Sequence, residues 1–146
     1  ILAVFAPMLL LSSLAKAEVF ARFHPYQSTL KEMGDYIRSA ERSVDIAVYN
    51  IDSHKRNPVI AAIASSKVQA KLNSGELSVR LIFEGYESPE KVKVKMAELE
   101  ELGVDVRHLR SGRKMHHKFL IVDSHLPTTQ LVTGSANFSL SSSALS

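Results

Sequence analysis

The residues with the clearest chemical pattern lie in one segment, MHHKFLIVDSHLPTTQLVTGSANF, which runs from Met115 to Phe138. Within it, His116, Lys118 and Asp123 have the spacing H-x-K-x4-D. After a gap of ten residues, Gly134–Asn137 read G-S-A-N. An H-x-K or a G-S-x-N pattern alone is usually part of an ordinary surface segment or a turn. Together, joined by FLIVD and a hairpin-length gap, they indicate a site that handles phosphate.

The residue types suit attack on a phosphodiester. The imidazole of His116 can act as a nucleophile or transfer protons near neutral pH. The ammonium group of Lys118 can neutralise the non-bridging phosphate oxygens, where negative charge must be stabilised in the transition state. A turn at Gly134 could bring the Ser135 hydroxyl and the Asn137 amide to the same phosphate. This chemistry requires no metal ion, and we expect no cofactor.

Strand geometry distinguishes the two adjacent histidines. If residues 116–122 are extended, alternate side chains project to opposite faces. His116 and Lys118 then lie side by side on one face, while His117 points to the other. The spacing from Lys118 and Asp123 also selects His116, so we expect His117 to pack or to lie on the surface.

With this H-x-K-D set followed by G-S-x-N, the chain resembles the phospholipase D superfamily. The resemblance covers most of residues 20–146, where RSVDIAVYNI and LSVRLIFEG look like the family's second and third strands. In this family two H-x-K-D sets meet in one active site. One histidine attacks phosphorus to form a phosphohistidine, and the second protonates the leaving oxygen. A single set is typical of the small exported bacterial endonucleases, which pair two identical chains.

The resemblance implies a role for each motif residue. His116 of one subunit would be the nucleophile, and the same histidine of the second subunit would be the general acid. Lys118 and Asn137 would hold the phosphate, assisted by Ser135. Asp123 completes the predicted catalytic set, although we expect it to order the hairpin rather than to touch substrate.

Other polar residues near the motif are weaker candidates. Arg110, Arg113 and Lys114 precede it, and the last two are predicted to bind substrate because cations attract a polyanion. The run His54–Arg56 is either a solvated turn or a contact to the phosphate backbone. Glu84 follows a predicted strand, where open α/β sheets keep their ligand crevices, and could line the rim of the site.

Two features depart from the family's pattern. The gap between Asp123 and Gly134 is longer than usual, which we interpret as an insertion at the hairpin tip. The family also places an acidic residue beyond G-S-x-N, followed by a closing helix and strand, and this sequence stops before them. We therefore expect the C-terminal part of the domain to be missing.

Apolar periodicity predicts the elements that position the motif. Strands are predicted at 19–23, 44–49, 77–83, 104–108, 119–122 and 130–133, and helices at 28–41, 59–72 and 89–102. Strands that alternate with helices of this length favour an α/β fold with a mixed, mainly parallel sheet flanked by helices.

Composition is that of a globular domain: 45% of the 146 residues are apolar, 23% are charged, and the net charge is +3. A mildly basic chain suits DNA or lipid headgroups alike. The absence of cysteine excludes disulfides, cysteine-ligated zinc and a thiol nucleophile.

Residues 1–17 resemble a secretory signal peptide. The apolar run ILAVFAPMLLL ends in the small-residue site AKA and is shorter than the roughly 20 residues of a membrane span. We therefore expect a periplasmic or secreted protein whose catalytic domain occupies residues 18–146. An uncleaved membrane anchor and a buried first helix are the alternatives.

The leading hypothesis is a metal-independent endonuclease that cleaves DNA or RNA as a homodimer. The first alternative is the N-terminal half of a two-motif lipid phosphodiesterase or phosphatidyltransferase of the phospholipase D or cardiolipin synthase type, with its second H-x-K-D set downstream. The second alternative is a domain that binds phosphate or nucleic acid without turnover.

Overall fold

The computed structural model describes residues 18–22, 29–85, 87–110 and 114–140. The elements in these ranges are α1 (Thr29–Ser39), β1 (Ser43–Val48), α2 (Pro58–Ile63), α3 (Ser66–Ser74), β2 (Ser78–Phe83), α4 (Pro89–Glu101), β3 (Val104–His108), β4 (Lys118–Val122) and β5 (Gln130–Thr133). The predicted signal peptide, residues 1–17, lies outside them. Within these ranges no helix has the length and apolar character needed to cross a membrane.

The five strands form one mixed sheet in the order β3-β2-β1-β4-β5. Strands β1, β2 and β3 are parallel, whereas β4 and β5 extend the sheet as an antiparallel hairpin beside β1. The predicted mixed α/β fold is confirmed. Because β4 runs against β1, it begins where the parallel strands end, and Val48 at the end of β1 pairs with Lys118.

One face of the sheet forms the core with the helices. Alternate residues of β1, namely Val44, Ile46 and Val48, are at most 3% exposed, as expected because successive side chains of a strand point to opposite faces. Ile37 of α1 and Ile60 of α2 belong to the same apolar cluster. This packing holds the strands in place, so the loops at their carboxyl edge start from defined positions.

Helix boundaries follow local side-chain chemistry. The side chain of Asn57 caps α2 by accepting a hydrogen bond from the Val59 amide (3.0 Å). The single helix predicted at 59–72 is wrong, because α2 and α3 are separate helices. Between them Ser65 is extended (φ −67°, ψ 146°), and its hydroxyl donates to the carbonyl of Ala62 (2.6 Å), a local bond that competes with helix continuation.

The first predicted strand, at 19–23, is also wrong for its described part. Residues 18–22 form no strand and pair with no part of the described sheet. Arg22 instead forms an ion pair with Glu32 on α1, with 3.0 Å between Nε and Oε2. High β propensity without a neighbouring strand does not make a strand.

Candidate active site

A loop that crosses the carboxyl edge of the sheet carries the two histidines. Residues 109–117, called the crossing loop below, connect β3 to β4, between which β2 and β1 lie in the sheet, and the structure describes 109–110 and 114–117 of them. The Leu109 amide donates to the Phe83 carbonyl at the end of β2 (2.8 Å), and the Tyr49 amide after β1 donates to the His117 carbonyl (2.9 Å). These bonds fasten the loop to the ends of both inner strands.

Tyr49 brings the predicted nucleophile and the predicted phosphate-binding lysine together. The centroid of its ring lies 5.1 Å from that of His116, with an angle of 53° between the planes. The same ring lies 5.4 Å from the Lys118 ammonium, within the range of a cation–π interaction. Lys118 also donates to the carbonyl of His116 (3.0 Å). The two motif residues are therefore neighbours against one aromatic ring.

Lys118 is almost completely buried. Only 4% of it is exposed, and it lies on the same face as the core residue Leu120, as strand alternation predicted. Burial lowers the pKa of Lys118, because removal from water penalises the charged form. A desolvated ammonium interacts more strongly with a phosphate oxygen than a hydrated one does.

The G-S-x-N segment reaches the same edge by following β5. The amide of Gly134 donates to the Lys118 carbonyl (3.3 Å), and the amide of Phe138 donates to the Asn50 carbonyl (3.2 Å). Phe138 also forms an isolated parallel bridge with Ile51. Both ends of the segment are thus attached beside the histidine and the lysine.

Ser135 and Asn137 lie between these two attachments. Ser135 is exposed, whereas Asn137 is half-buried. The Oδ1 atom of Asn137 is buried and has no hydrogen-bond partner among the described residues. Oδ1 is an acceptor, as are the oxygens of a phosphodiester, so a contact to phosphate needs the Nδ2 donor of this amide.

Asp123 is at the opposite edge of the sheet. It follows the last residue of β4, roughly 16 Å from Lys118 at about 3.3 Å per residue. Its carboxylate accepts hydrogen bonds from the backbone amides of Glu41 (3.0 Å), Arg42 (2.7 Å) and Ser43 (3.0 Å). The structure does not bring Asp123 to the other motif residues, and its contacts fit the ordering role.

These backbone contacts explain the ionisation of Asp123. Burial opposes the charge, but the amides of Arg42, Glu41 and Ser43 outweigh it and hold the pKa of the carboxyl below its usual value. The backbone is left-handed here, with φ 54°, a conformation that aspartate tolerates better than most side chains. Asp123 thus ties the β4–β5 turn to the start of β1.

The basic candidates before the motif are only partly described. Lys114 is exposed in the crossing loop, and Arg113 lies outside the described residues. Next to Lys114, the amide of Met115 donates to the carboxylate of Glu84. Glu84 is 9% exposed. Its carboxylate therefore holds the crossing loop through this hydrogen bond. The sequence suggested that Glu84 lines the rim of the site, and the structure buries it beneath that rim.

Three supporting residues were missed by sequence reasoning. Tyr49 was taken for a strand residue, although a polar aromatic at the carboxyl end of a central strand is a signal that could have been used. Asn57 is fully buried and donates to the Phe138 carbonyl (2.7 Å). Lys95 of α4 donates to the Asn50 side chain (3.2 Å). No pattern in the sequence indicates these long-range contacts.

Among the described residues, no group of three or more histidine, aspartate or glutamate side chains could hold a metal ion.

Comparison with known proteins identifies the family to which the chain belongs. Residues 33–146 match the family model described as "Cardiolipin synthase, PLD-like domain", where PLD denotes phospholipase D. The structure resembles NucT from Helicobacter pylori, with a TM-score of 0.53 and 25% identity over 79% of this chain and 71% of NucT. A search of curated protein sequences found no significant match.

A second solved structure shares only the fold. Polyphosphate kinase from Porphyromonas gingivalis has a TM-score of 0.54 and 17% identity over 78% of this chain. The chain spans about a fifth (19%) of that kinase. Both structural matches support the α/β architecture described above.

Proposed function

We propose that this chain, which belongs to the phospholipase D-like family, is a metal-independent phosphodiesterase whose nucleophile is His116. The observation that carries the proposal is the shared contact of His116 and Lys118 with the ring of Tyr49. It sets a nucleophilic imidazole beside a desolvated ammonium. The Asn137 amide lies at the same edge of the sheet.

The proposed reaction has two displacement steps at phosphorus. In the first, an imidazole nitrogen of His116 forms a bond to phosphorus while the bond to the leaving oxygen breaks, and a general acid protonates that oxygen. In the second, the oxygen of a water molecule bonds to phosphorus while the phosphorus–nitrogen bond breaks, and the group that acted as the acid, now a base, takes the proton of the water. Lys118 stabilises the negative charge on the non-bridging oxygens in both steps.

Asn137 contributes a second contact to the phosphate. We propose that the Nδ2 donor of this half-buried amide forms a hydrogen bond to a phosphate oxygen. The exposed Ser135 hydroxyl is available to the same oxygens.

We propose that the general acid is a second histidine. We propose that two copies of this chain form a homodimer and that each copy's His116 acts as the acid for the other. A second H-x-K-D set on the same polypeptide is the alternative source. Both arrangements follow from the chemistry, because one imidazole cannot be nucleophile and leaving-group acid in the same step.

Nucleic acid is the favoured substrate. NucT is a nuclease of the phospholipase D superfamily and resembles most of this chain. A phospholipid is the second candidate, favoured by the description of the matching family as a cardiolipin synthase domain. The phosphate-handling residues suit both substrates, so the choice depends on surfaces around the site.

The experiment compares the two substrates without divalent metal. The protein is incubated in excess EDTA with end-labelled single-stranded and duplex DNA, and in parallel with vesicles that contain phosphatidylglycerol. We expect DNA fragments and no released headgroup. Headgroup release without DNA cleavage would favour the lipid candidate, and no turnover of either substrate would refute the phosphodiesterase proposal.

A further inference from the structure

We propose that the exposed loop His54–Arg56 is a second phosphate-binding subsite, so that the substrate is a nucleic acid strand that contacts the protein at several phosphates. This inference rests on the proposed function and names the substrate class for the same site.

The loop is attached to the G-S-x-N segment. It follows β1 at the carboxyl edge of the sheet and leads directly into Asn57. The Asn57 side chain donates to the Phe138 carbonyl (2.7 Å) and to the Asp52 carbonyl (3.3 Å). The Asp52 carboxylate in turn accepts the amide of Leu140 (2.7 Å). The basic loop therefore lies next to Asn137.

The loop is held in one conformation while its cations face solvent. The carbonyl of His54 accepts the Asn57 amide (2.8 Å), and its Nδ1 accepts the Arg56 amide (3.0 Å). Lys55 and Arg56 are exposed, and neither side chain forms an ion pair with any described residue. Both charges are therefore available to a ligand. Because hydrogen bonds already hold the backbone of the loop, binding loses less conformational entropy there.

A second basic segment lies at the same edge. Arg110 and Lys114 are exposed in the crossing loop, which ends at His116. The candidate active site is thus bordered by cations in both loops. A single phosphodiester contacted by Lys118 and Asn137 would leave the charges of Lys55 and Arg56 unused, whereas a strand can extend to them.

The exposed apolar residues favour a nucleic acid over a membrane. The large, strongly exposed hydrophobic residues in the described ranges are Val19, Phe20, Val94 and Leu131. None of them lies in the two basic loops. Attachment to a lipid surface normally combines basic residues with inserted apolar side chains, and the loops offer only the basic component.

The test measures binding, which does not depend on turnover. The double substitution Lys55→Ala with Arg56→Ala is compared with Arg42→Ala with Lys67→Ala, which removes the same charge from an exposed residue before β1 and one on α3. Fluorescence anisotropy with a single-stranded oligonucleotide in EDTA gives the Kd over a salt series. We expect the loop variant to raise the Kd by about tenfold and to lower the salt slope by about 1 to 2.

The control variant should raise the Kd of the oligonucleotide by no more than about twofold over the parent. Equal Kd values for the loop and control variants, or no DNA binding by the parent, would overturn the inference. Weakened binding to anionic vesicles alone would overturn it in favour of a membrane. Loop-dependent DNA binding without any turnover would uphold the subsite and refute the proposed function.

Discussion

Replacing His116 by alanine should lower kcat by roughly 10³-fold or more and leave the fold intact. The substitution removes the proposed nucleophile and, in a homodimer, the general acid as well. His116 is exposed, and exposed substitutions usually change the free energy of unfolding by less than about 0.5 kcal/mol. Steady-state cleavage of the oligonucleotide in EDTA gives the rate, and thermal unfolding gives the stability.

The neighbouring histidine provides a matched control. His117 is also exposed, and its ring lies beside Phe119 on the other face of the strand, with centroids 6.2 Å apart. His117→Ala should therefore keep kcat within about threefold of the parent. Equal losses in both variants, or a larger loss at His117, would contradict the assignment of the nucleophile.

Asp123→Ala should destabilise the protein by about 3 kcal/mol. The substitution leaves the amides of Glu41, Arg42 and Ser43 without their charged acceptor and puts alanine in a left-handed conformation. Glu41 and Arg42 are exposed, so water can replace part of the loss. Urea unfolding at neutral pH measures the change, and an unfolding free energy within about 0.5 kcal/mol of the parent would contradict it.

Asp123→Asn is the control for charge. It keeps one acceptor oxygen and tolerates the left-handed backbone, so we expect a smaller loss than with alanine. Because the folded pKa of Asp123 lies below the unfolded one, its charge stabilises the protein above the unfolded pKa, and this stabilisation is lost as the pH falls through the folded pKa. The free energy of unfolding of the asparagine variant should therefore fall less as the pH is lowered. An equal fall in the parent and the variant would show that ionised Asp123 does not contribute to the pH dependence.

The H-x-K-x4-D spacing combines two different tasks along one strand. Its first half brings His116 and Lys118 to the carboxyl edge of the sheet, beside Tyr49. Its last residue, Asp123, lies at the other edge and holds the start of β1. The strand thus connects the candidate site to the packing that keeps β1 and β4 in register.

Much of this arrangement could be predicted from local patterns. Strand alternation correctly separated Lys118 from Phe119, and the order of strands and helices gave the mixed sheet. These predictions succeed because they depend on neighbours in sequence. The elements predicted wrongly, the strand at 19–23 and the unbroken helix at 59–72, depended on contacts or turns that propensity does not describe.

The supporting contacts could not be predicted in the same way. Asn57 and Phe138 are 81 residues apart, and Lys95 and Asn50 are 45 apart. Lys95 lies in the helical sequence EKVKVKMAELEE, where a lysine normally faces solvent, yet it is only 6% exposed. Such buried polar pairs arise from the tertiary fold, and a single sequence carries no signal for them.

The most direct test of the account is to quench the reaction with an oligonucleotide in EDTA and to search the digested protein for a covalent adduct by mass spectrometry. A phosphorus–nitrogen bond is expected on the peptide that contains His116, stable in alkali and broken by acid, and absent from His116→Ala. Turnover without any adduct at His116, or an adduct at His117 instead, would contradict nucleophilic catalysis by this residue.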